Sequence, residues 1–180
     1  MPAKVYFTRE LTPEKVVELY RALGVELPGK VAVKVHSGEK GNQNFLRPEF
    51  WRPMLSTGEP GGHNFLQPAF IRGLVQRLNG TIVECNTAYG DATGGVRDNT
   101  ESHLKLIEEH GWNEYFPVDL LDAQGPDVVW PIPHGKILKE NHLGKNILHY
   151  DSMLVLAHFK GHPMGGYGGA LKQLAIGCAS

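Results

Sequence analysis

Residues 152–180 read SMLVLAHFKGHPMGGYGGALKQLAIGCAS, and this stretch predicts a strand, a glycine-rich turn and a helix in succession. The apolar run 153–157 is typical of a short strand buried on both faces of a sheet. Four glycines follow in the pattern GGYGG at 165–169, and ALKQLAIG has the character of the first turns of a helix. Such a succession gathers backbone N–H groups around one concavity, which suits an anionic ligand.

The same stretch concentrates titratable side chains, since two histidines and two lysines lie within fifteen residues. We therefore predict a ligand site over residues 158–172, with His158 and His162 as candidate metal ligands. The alternative is structural, because such glycines also serve turns and packing and a histidine can simply end a strand. The spacing fits neither the P-loop, nor the dinucleotide fingerprint, nor a zincin helix. The catalytic candidates are His158, Lys160, His162 and Lys172.

Composition limits the classes of partner and cofactor that this chain can have. The chain has 180 residues, a formal net charge of −1 and 21% charged residues, so no basic surplus favours nucleic acid as a partner. No apolar run reaches the length that spans a membrane, and the N-terminus lacks the apolar core of a signal peptide, so we expect a cytoplasmic protein. Two cysteines are too few for an iron–sulphur cluster held by four thiolates of this chain.

Strand-like and helix-like segments alternate along the chain. We predict strands at 4–7, 30–35, 81–85, 118–121 and 153–157, with an edge strand or excursion in 122–133. One helix is predicted to begin at the N-cap Thr12, and another at a capping box of Asp98 and Glu101. The alternation predicts an α/β fold in one domain, 1–180, with a mostly parallel sheet, helices on both faces and Rossmann-like layering. Its core strands are 31–35, 81–85 and 153–157.

An internal repeat interrupts this alternation. Residues 37–55, SGEKGNQNFLRPEFWRPML, align with residues 57–75, TGEPGGHNFLQPAFIRGLV. Each copy predicts a Gly-Glu loop followed by an amphipathic helix. Pro53 cuts the first helix short, whereas the second copy leads into the strand at 81–85. We expect the second copy to be the crossover helix and the first to be an exposed hairpin or short helix.

Polar loops follow three of the predicted strands. Ligands of open parallel sheets bind beyond the carboxyl ends of the strands, so we expect these loops to converge on one crevice. A polar loop after every strand is also what surface exposure alone would give. The predicted cofactor-binding residues are Ser37, Gly38, Glu39, Asn86, Thr87, Gly165, Gly166, Gly168 and Gly169.

Three segments carry a family resemblance: KVAVKVHSGE at 30–39, IVECNTAY at 82–89 and HFKGHPMGGYGGALKQLAIGCAS at 158–180. They resemble the bacterial and archaeal family catalogued as domain of unknown function 362, over essentially the whole chain. Many members carry a ferredoxin-like segment with iron–sulphur clusters after this domain, which implies a ferredoxin-like partner. The cysteine runs of that segment are missing here, so the cluster does not carry over, and we expect a domain truncated at its C-terminus. The tandem repeat is a departure from the family pattern.

A shorter similarity adds chemistry. The spacing from His162 to Lys172, with glycines between, resembles a segment of nickel-dependent lactate racemase that holds a catalytic histidine and a cofactor-anchoring lysine. The resemblance implies that His162 is an acid or base and that Lys172 anchors a cofactor or binds phosphate. A metal and a nucleotide-like anion both stay open as the cofactor.

Two classes of function follow. The first is a redox or proton-transfer enzyme that acts on a small anionic substrate or cofactor held by the loop 158–172. The second is a non-catalytic metal- or anion-binding module that docks an iron–sulphur electron-transfer partner. The residue pattern alone does not decide between them.

Overall fold

The structure, a computed structural model, describes residues 3–40, 68–88, 90, 95–125, 127–162 and 164–180. It contains these elements in chain order: α1 (Pro13–Leu23), β1 (Val31–Lys34), α2 (Pro68–Arg77), β2 (Thr81–Glu84), α3 (Thr100–Glu109), β3 (Val118–Leu120), β4 (Val128–Pro131), β5 (Glu140–Leu143), a 3-10 helix (Lys145–His149), β6 (Ser152–Val155), β7 (Lys160–His162), β8 (Gly166–Gly168) and α4 (Ala170–Ala175).

A four-stranded parallel sheet in the order β3-β2-β1-β6 forms the centre of the fold. Ala32 of β1 lies opposite Thr81 of β2 on one side and opposite Met153 of β6 on the other. The predicted α/β class and the parallel arrangement of the three core strands are therefore confirmed. The expectation that 153–157 is buried on both faces is wrong, because β6 is an edge strand and is only half-buried.

Each face of the sheet has its own apolar cluster. Val31, Val33 and Val35 pack against Ile71 and Val75 of α2, in a cluster that also includes Ile107 of α3. On the opposite face, Ala32 and Val83 pack with Cys178, and Ile147 of the 3-10 helix lies against them. Helical segments thus cover both faces of the sheet. The alternation in β1 correctly predicted that its valines lie on one face and the residues between them on the other.

The caps of two helices explain where they begin. The Thr12 side chain accepts a hydrogen bond from the N–H of Lys15, so the predicted N-cap of α1 is confirmed. Pro13 occupies the first turn, and Gly24 ends α1 in the left-handed conformation at φ 61°. In α3 the prediction was one residue early. Asn99, not Asp98, is the N-cap, and its side chain accepts from the N–H of Ser102 at 2.9 Å.

The predicted strand at 4–7 is also wrong. Residues 3–8 form no regular element, and Val5 and Phe7 are 87% and 83% exposed. Alternating apolar residues make a strand only where a neighbouring strand pairs with them, and none of the described strands pairs with this segment. The excursion predicted in 122–133 is found, because β4 pairs with β5 in a separate antiparallel hairpin.

The C-terminal segment differs from a simple glycine-rich turn. β7 and β8 form a small antiparallel hairpin, in which Lys160 lies opposite Gly168 and His162 opposite Gly166. The helix α4 then begins after Gly169, as the sequence predicts.

Of the repeat, α2 lies in the second copy and ends before β2, in agreement with the predicted crossover helix. Residues 41–55 of the first copy lie outside the described residues. No helix in the described ranges is both long and apolar enough to cross a bilayer.

Candidate functional site

A cleft of about 640 Å³ lies at the carboxyl ends of β1, β2 and β6, between the sheet and the C-terminal hairpin. This is where an open parallel sheet places its ligands. The side chains and backbone that line it are Lys34, His36, Glu39, Glu84, Cys85, Asn86, Thr87, Ala88, Arg97, Asp122, His158, Lys160, His162, Gly168, Gly169, Lys172, Gln173, Ile176, Gly177, Ala179 and Ser180.

The four catalytic candidates, His158, Lys160, His162 and Lys172, all line this cleft. Their roles stay predictions. The predicted cofactor-binding residues divide into two groups. Those that line the cleft are Glu39, Asn86, Thr87, Gly168 and Gly169, and those that are not among its lining residues are Ser37, Gly38, Gly165 and Gly166.

A buried carboxylate, Glu84, lies at the floor of the cleft. Its two oxygens accept from the ammonium of Lys34, from Arg97 Nη1 at 3.1 Å, and from the backbone N–H and the hydroxyl of Ser37, each at 3.1 Å. Burial raises the pKa of Glu84, but the positive charges of Lys34 and Arg97 outweigh burial and hold the pKa at about 2. Glu84 is therefore ionised throughout the physiological range.

Arg97 links this carboxylate to a second one. Its Nε donates to Glu39 Oε1 at 2.7 Å, and its Nη2 donates to the same oxygen. The ammonium of Lys34 also donates to the carbonyl of Val35 at 2.7 Å. Both cations on the floor of the cleft are thus committed to partners in the protein, and they hold Glu39 and Glu84 in place.

A hydrogen-bonded chain runs from Glu84 into the core. The hydroxyl of Ser37 lies 3.0 Å from His103 Nε2, and His103 Nδ1 lies 3.1 Å from Asn86 Oδ1. Burial is the main cause that lowers the pKa of His103 to about 4, so this ring is neutral at pH 7. The Ser37 hydroxyl gives its one proton to Glu84, so it can only accept from His103. A neutral His103 ring has one N–H to donate, either from Nε2 to Ser37 Oγ or from Nδ1 to Asn86 Oδ1. These hydrogen bonds hold the Ser37 side chain in place, and Ser37 in turn orients Glu84.

Two further cations behave differently. Lys160 and Lys172 face the cleft from the hairpin and from α4, and among the described residues no carboxylate lies within ion-pair distance of either. Burial lowers the pKa of Lys160, and the charges of Arg97 and Lys172 lower it further. These two ammonium groups are the cationic charge in the cleft that the described carboxylates do not neutralise by direct contact.

The three histidines of the cleft are not equivalent. The N–H of Gly38 donates to His36 Nδ1 at 3.0 Å, and the N–H of Gly165 donates to His162 Nδ1 at 3.0 Å. An accepted hydrogen bond at Nδ1 places the proton of a neutral ring on Nε2. His158 Nδ1 is buried and has no such partner, so no described residue fixes the tautomer of His158 through this atom. Burial, and then the charge of Lys160, lower the pKa of His158.

A match to a family model identifies the family. A family model described as "Domain of unknown function (DUF362)" matches residues 53–180, which is more than two thirds of the chain. The chain belongs to the DUF362 family. The matched range includes the strand β2, the C-terminal hairpin and α4, so it covers most of the cleft. Searches of curated proteins and of solved structures found no match to this DUF362 chain.

Sequence reasoning missed most of the charged floor of the DUF362 cleft. Lys34, Arg97 and Asp122 were not among the predicted site residues, and His103 was read only as part of a helix. A signal existed for Lys34 and Glu84, because each is a charged residue near the carboxyl end of an otherwise apolar strand, in KVAVKV and TIVEC. In the described part of this chain, no group of three or more His, Cys, Asp or Glu side chains could hold a metal ion.

Proposed function

We propose that this DUF362 domain binds a small organic anion in the cleft and transfers a proton to or from it. The observation that supports this most directly is the pair Lys160 and Lys172, which face the cleft without a carboxylate partner among the described residues. A partly desolvated ammonium group without a counter-ion favours binding of an anion. His158 lines the same cleft, and burial, followed by the charge of Lys160, lowers its pKa.

The histidines suit two roles in such a transfer. His158 is neutral at pH 7, and its Nδ1 is not occupied by a described group, so it accepts a proton from the bound molecule. His162 accepts the N–H of Gly165 at Nδ1, so in its neutral form it presents Nε2–H as a donor. These roles are in keeping with the acid or base that the lactate racemase similarity implies for His162.

Thiol redox chemistry is the less favoured reading. Cys85 lines the cleft, but burial, and next the nearby charge of Asp122, raise the pKa of its thiol. A thiol that stays protonated is a poor nucleophile and a poor redox centre. The non-catalytic module that docks a ferredoxin-like partner stays as the alternative, and it shares the anion site.

Isotope exchange tests the proposal. The protein is incubated in D₂O with pyruvate, acetoacetate, gluconate or glucose 6-phosphate, and loss of carbon-bound protons is followed by proton NMR, with binding measured by calorimetry. We expect binding and exchange for at least one of them. Removal of a general base typically costs about 10²–10⁴-fold in rate. His158→Gln should therefore lower exchange by that factor and retain binding, and His134→Gln, an exposed histidine, is the matched control.

Lys172→Met tests the anion site itself. The variant should abolish binding, whereas Lys136→Met, at an exposed lysine, should not. The thermal midpoint of the ligand-free variant should be unchanged or slightly raised, because the charge of Lys172 opposes that of Lys160. Binding without exchange would favour the non-catalytic module. Retained binding in Lys172→Met, or strong destabilisation of the ligand-free variant, would show that Lys172 is structural.

A further inference from the structure

Four side chains that line the cleft each hold a buried polar atom with no hydrogen-bond partner in the described part of the chain. The atoms are Glu39 Oε2, Thr87 Oγ1, His158 Nδ1 and Gln173 Oε1. Buried polar atoms of folded proteins nearly always have a partner. A set of four around one cleft therefore points to partners on a molecule that binds there.

Two of these atoms can only accept a hydrogen bond. The Gln173 amide donates through Nε2 to the carbonyl of Leu156 at 3.4 Å, and since a carbonyl cannot donate, the remaining atom of the amide must be Oε1. Glu39 uses Oε1 for both contacts with Arg97, which leaves Oε2 as a bare carboxylate oxygen. The bound molecule must therefore present hydrogen-bond donors at two or more places.

These acceptors lie on both sides of the cleft. Glu39 and Thr87 follow the sheet strands β1 and β2, and the N–H of Thr87 donates to the carbonyl of Arg97 at 2.7 Å, which holds that loop in place. Gln173 and His158 belong to the C-terminal segment on the other side. Because the acceptors come from separate elements of the cleft, a ligand that carries several donors is best suited to meet them.

Hydroxyl groups satisfy these acceptors better than ammonium groups do. Four basic side chains and three acidic ones line the cleft, so positive charge already exceeds negative charge there. An ammonium on the ligand would add a further positive charge near Lys160 and Lys172. A hydroxyl donates a hydrogen bond without adding charge, and it can also accept one from a lysine.

We propose that the cleft binds an anionic polyol, that is, an anion of sugar size that carries several hydroxyl groups along its length. This inference rests on the proposed anion site at Lys160 and Lys172, and it specifies the class of ligand that the site takes. The cleft of about 640 Å³ fits such a molecule, since small-molecule sites typically span about 300–1,000 Å³. The anionic group is a phosphate or a carboxylate, and both share this chemistry.

Matched ligand pairs test the inference by calorimetry. Glucose 6-phosphate is compared with hexyl phosphate, and gluconate with hexanoate, so that each pair shares its anionic group and differs in its hydroxyls. A site built to bond hydroxyls rejects an analogue without them because its buried polar atoms stay unpaired. We expect the hydroxylated member of one pair to bind at least about tenfold more tightly. The pair that binds distinguishes phosphate from carboxylate.

Two variants then connect the preference to the named atoms. Gln173→Leu and the isosteric Thr87→Val should each reduce the preference for the hydroxylated ligand. Two variants are used so that the test still stands if one of them fails to fold. Gln124→Leu, at an exposed glutamine, is the matched control and should keep the preference. Equal affinity within both pairs in the wild-type protein would overturn the polyol inference and leave the anion site standing. If no ligand of either pair binds but pyruvate or acetoacetate does, the polyol inference alone is overturned, and if none of these anions binds, the proposed function fails as well.

Discussion

At the scale of single residues, Glu84 joins the sheet to the cleft. Its side chain is buried and accepts hydrogen bonds from Lys34, Ser37 and Arg97. Lys34 and Glu84 lie on the neighbouring strands β1 and β2, so their ion pair crosses the sheet between two central strands. Because both partners are buried, removal of either one would leave the other as an uncompensated buried charge and destabilise the fold.

Glu84→Gln should therefore destabilise the protein strongly. The substitution keeps the shape of the side chain but leaves the charges of Lys34 and Arg97 without their buried counter-ion. Breaking a buried pair in this way costs about 3–5 kcal/mol, which chemical denaturation would measure. The control is Glu18→Gln, which removes an exposed pair with Lys15 and should cost less than about 1 kcal/mol. Equal losses in the two variants would contradict the assigned role of Glu84.

The sequence could predict the face of Lys34 but not its burial. Alternation in KVAVKV separates the valines from the lysines, and the structure agrees. Whether the second face meets water depends on what covers it, and here the coverage comes from residues far along the chain. Cys178 packs on Ala32 and Val83 of that face. A contact between positions so distant in sequence leaves no periodic signal in either strand.

At the scale of elements, the start of α3 rests on one side chain. Asp98 and Asn99 are both good N-cap residues, so composition alone does not choose between them. The structure chooses Asn99, whose Oδ1 accepts from Ser102 N–H at 2.9 Å. The helix that follows carries Leu106, Ile107 and the buried His103, so its start fixes the position of the chain beneath the cleft.

Asn99→Ala tests this assignment. Loss of the cap leaves an N–H of the first turn without its side-chain partner, and we expect a decrease of about 1 kcal/mol in the free energy of unfolding. Lys105→Ala, at an exposed position of the same helix, is the control and should change the stability by less than about 0.5 kcal/mol. A decrease no larger than that of the control would show that Asn99 does not cap the helix.

The C-terminal hairpin was not predicted from the sequence, because its strands are too short. The sequence correctly predicted a strand before His158 and a helix after Gly169, but β7 and β8 each contain only three residues. Strands of that length are too short for a period of two to appear. Packing supports the hairpin instead, since the rings of Phe159 and Tyr167 lie 5.7 Å apart between centroids.

At the scale of the whole molecule, the sequence predicted that polar loops meet at one cleft, but not which charged groups form its floor. The loops after β1, β2 and β6 contribute Glu39, Asn86 and His158 to one cleft because strands that run parallel end at the same edge of the sheet. That rule needs only the strand order along the chain. The charged floor beneath them depends on which side chains meet across β1, β2 and the loop at Arg97, and no local pattern specifies those pairs.

The buried titratable groups also make the stability of the whole protein depend on pH. The pKa of His103 falls from an ordinary value of 6.5 to about 4, and burial lowers the pKa of His36 well below its ordinary value. A histidine with a lowered folded pKa binds its proton first in the unfolded chain. Its neutral form therefore stabilises the fold fully above about pH 6.5, and this contribution is lost as the pH falls toward the folded pKa.

Acid unfolding should consequently proceed over two ranges of pH. Between 6.5 and about 4, protonation of His103 in the unfolded chain lowers the thermal midpoint. Below an ordinary carboxyl pKa of 4.5, Glu84 adds a second loss that continues toward its folded pKa of about 2. Thermal midpoints measured from pH 8 to pH 3 at constant ionic strength check both ranges. His103→Gln keeps hydrogen-bonding groups near Ser37 and Asn86 but cannot titrate, so the decline between 6.5 and 4 should be shallower in this variant. Since Glu84 is unchanged in it, the decline below 4.5 should persist, and a parallel decline of both proteins over the upper range would exclude His103 as its source.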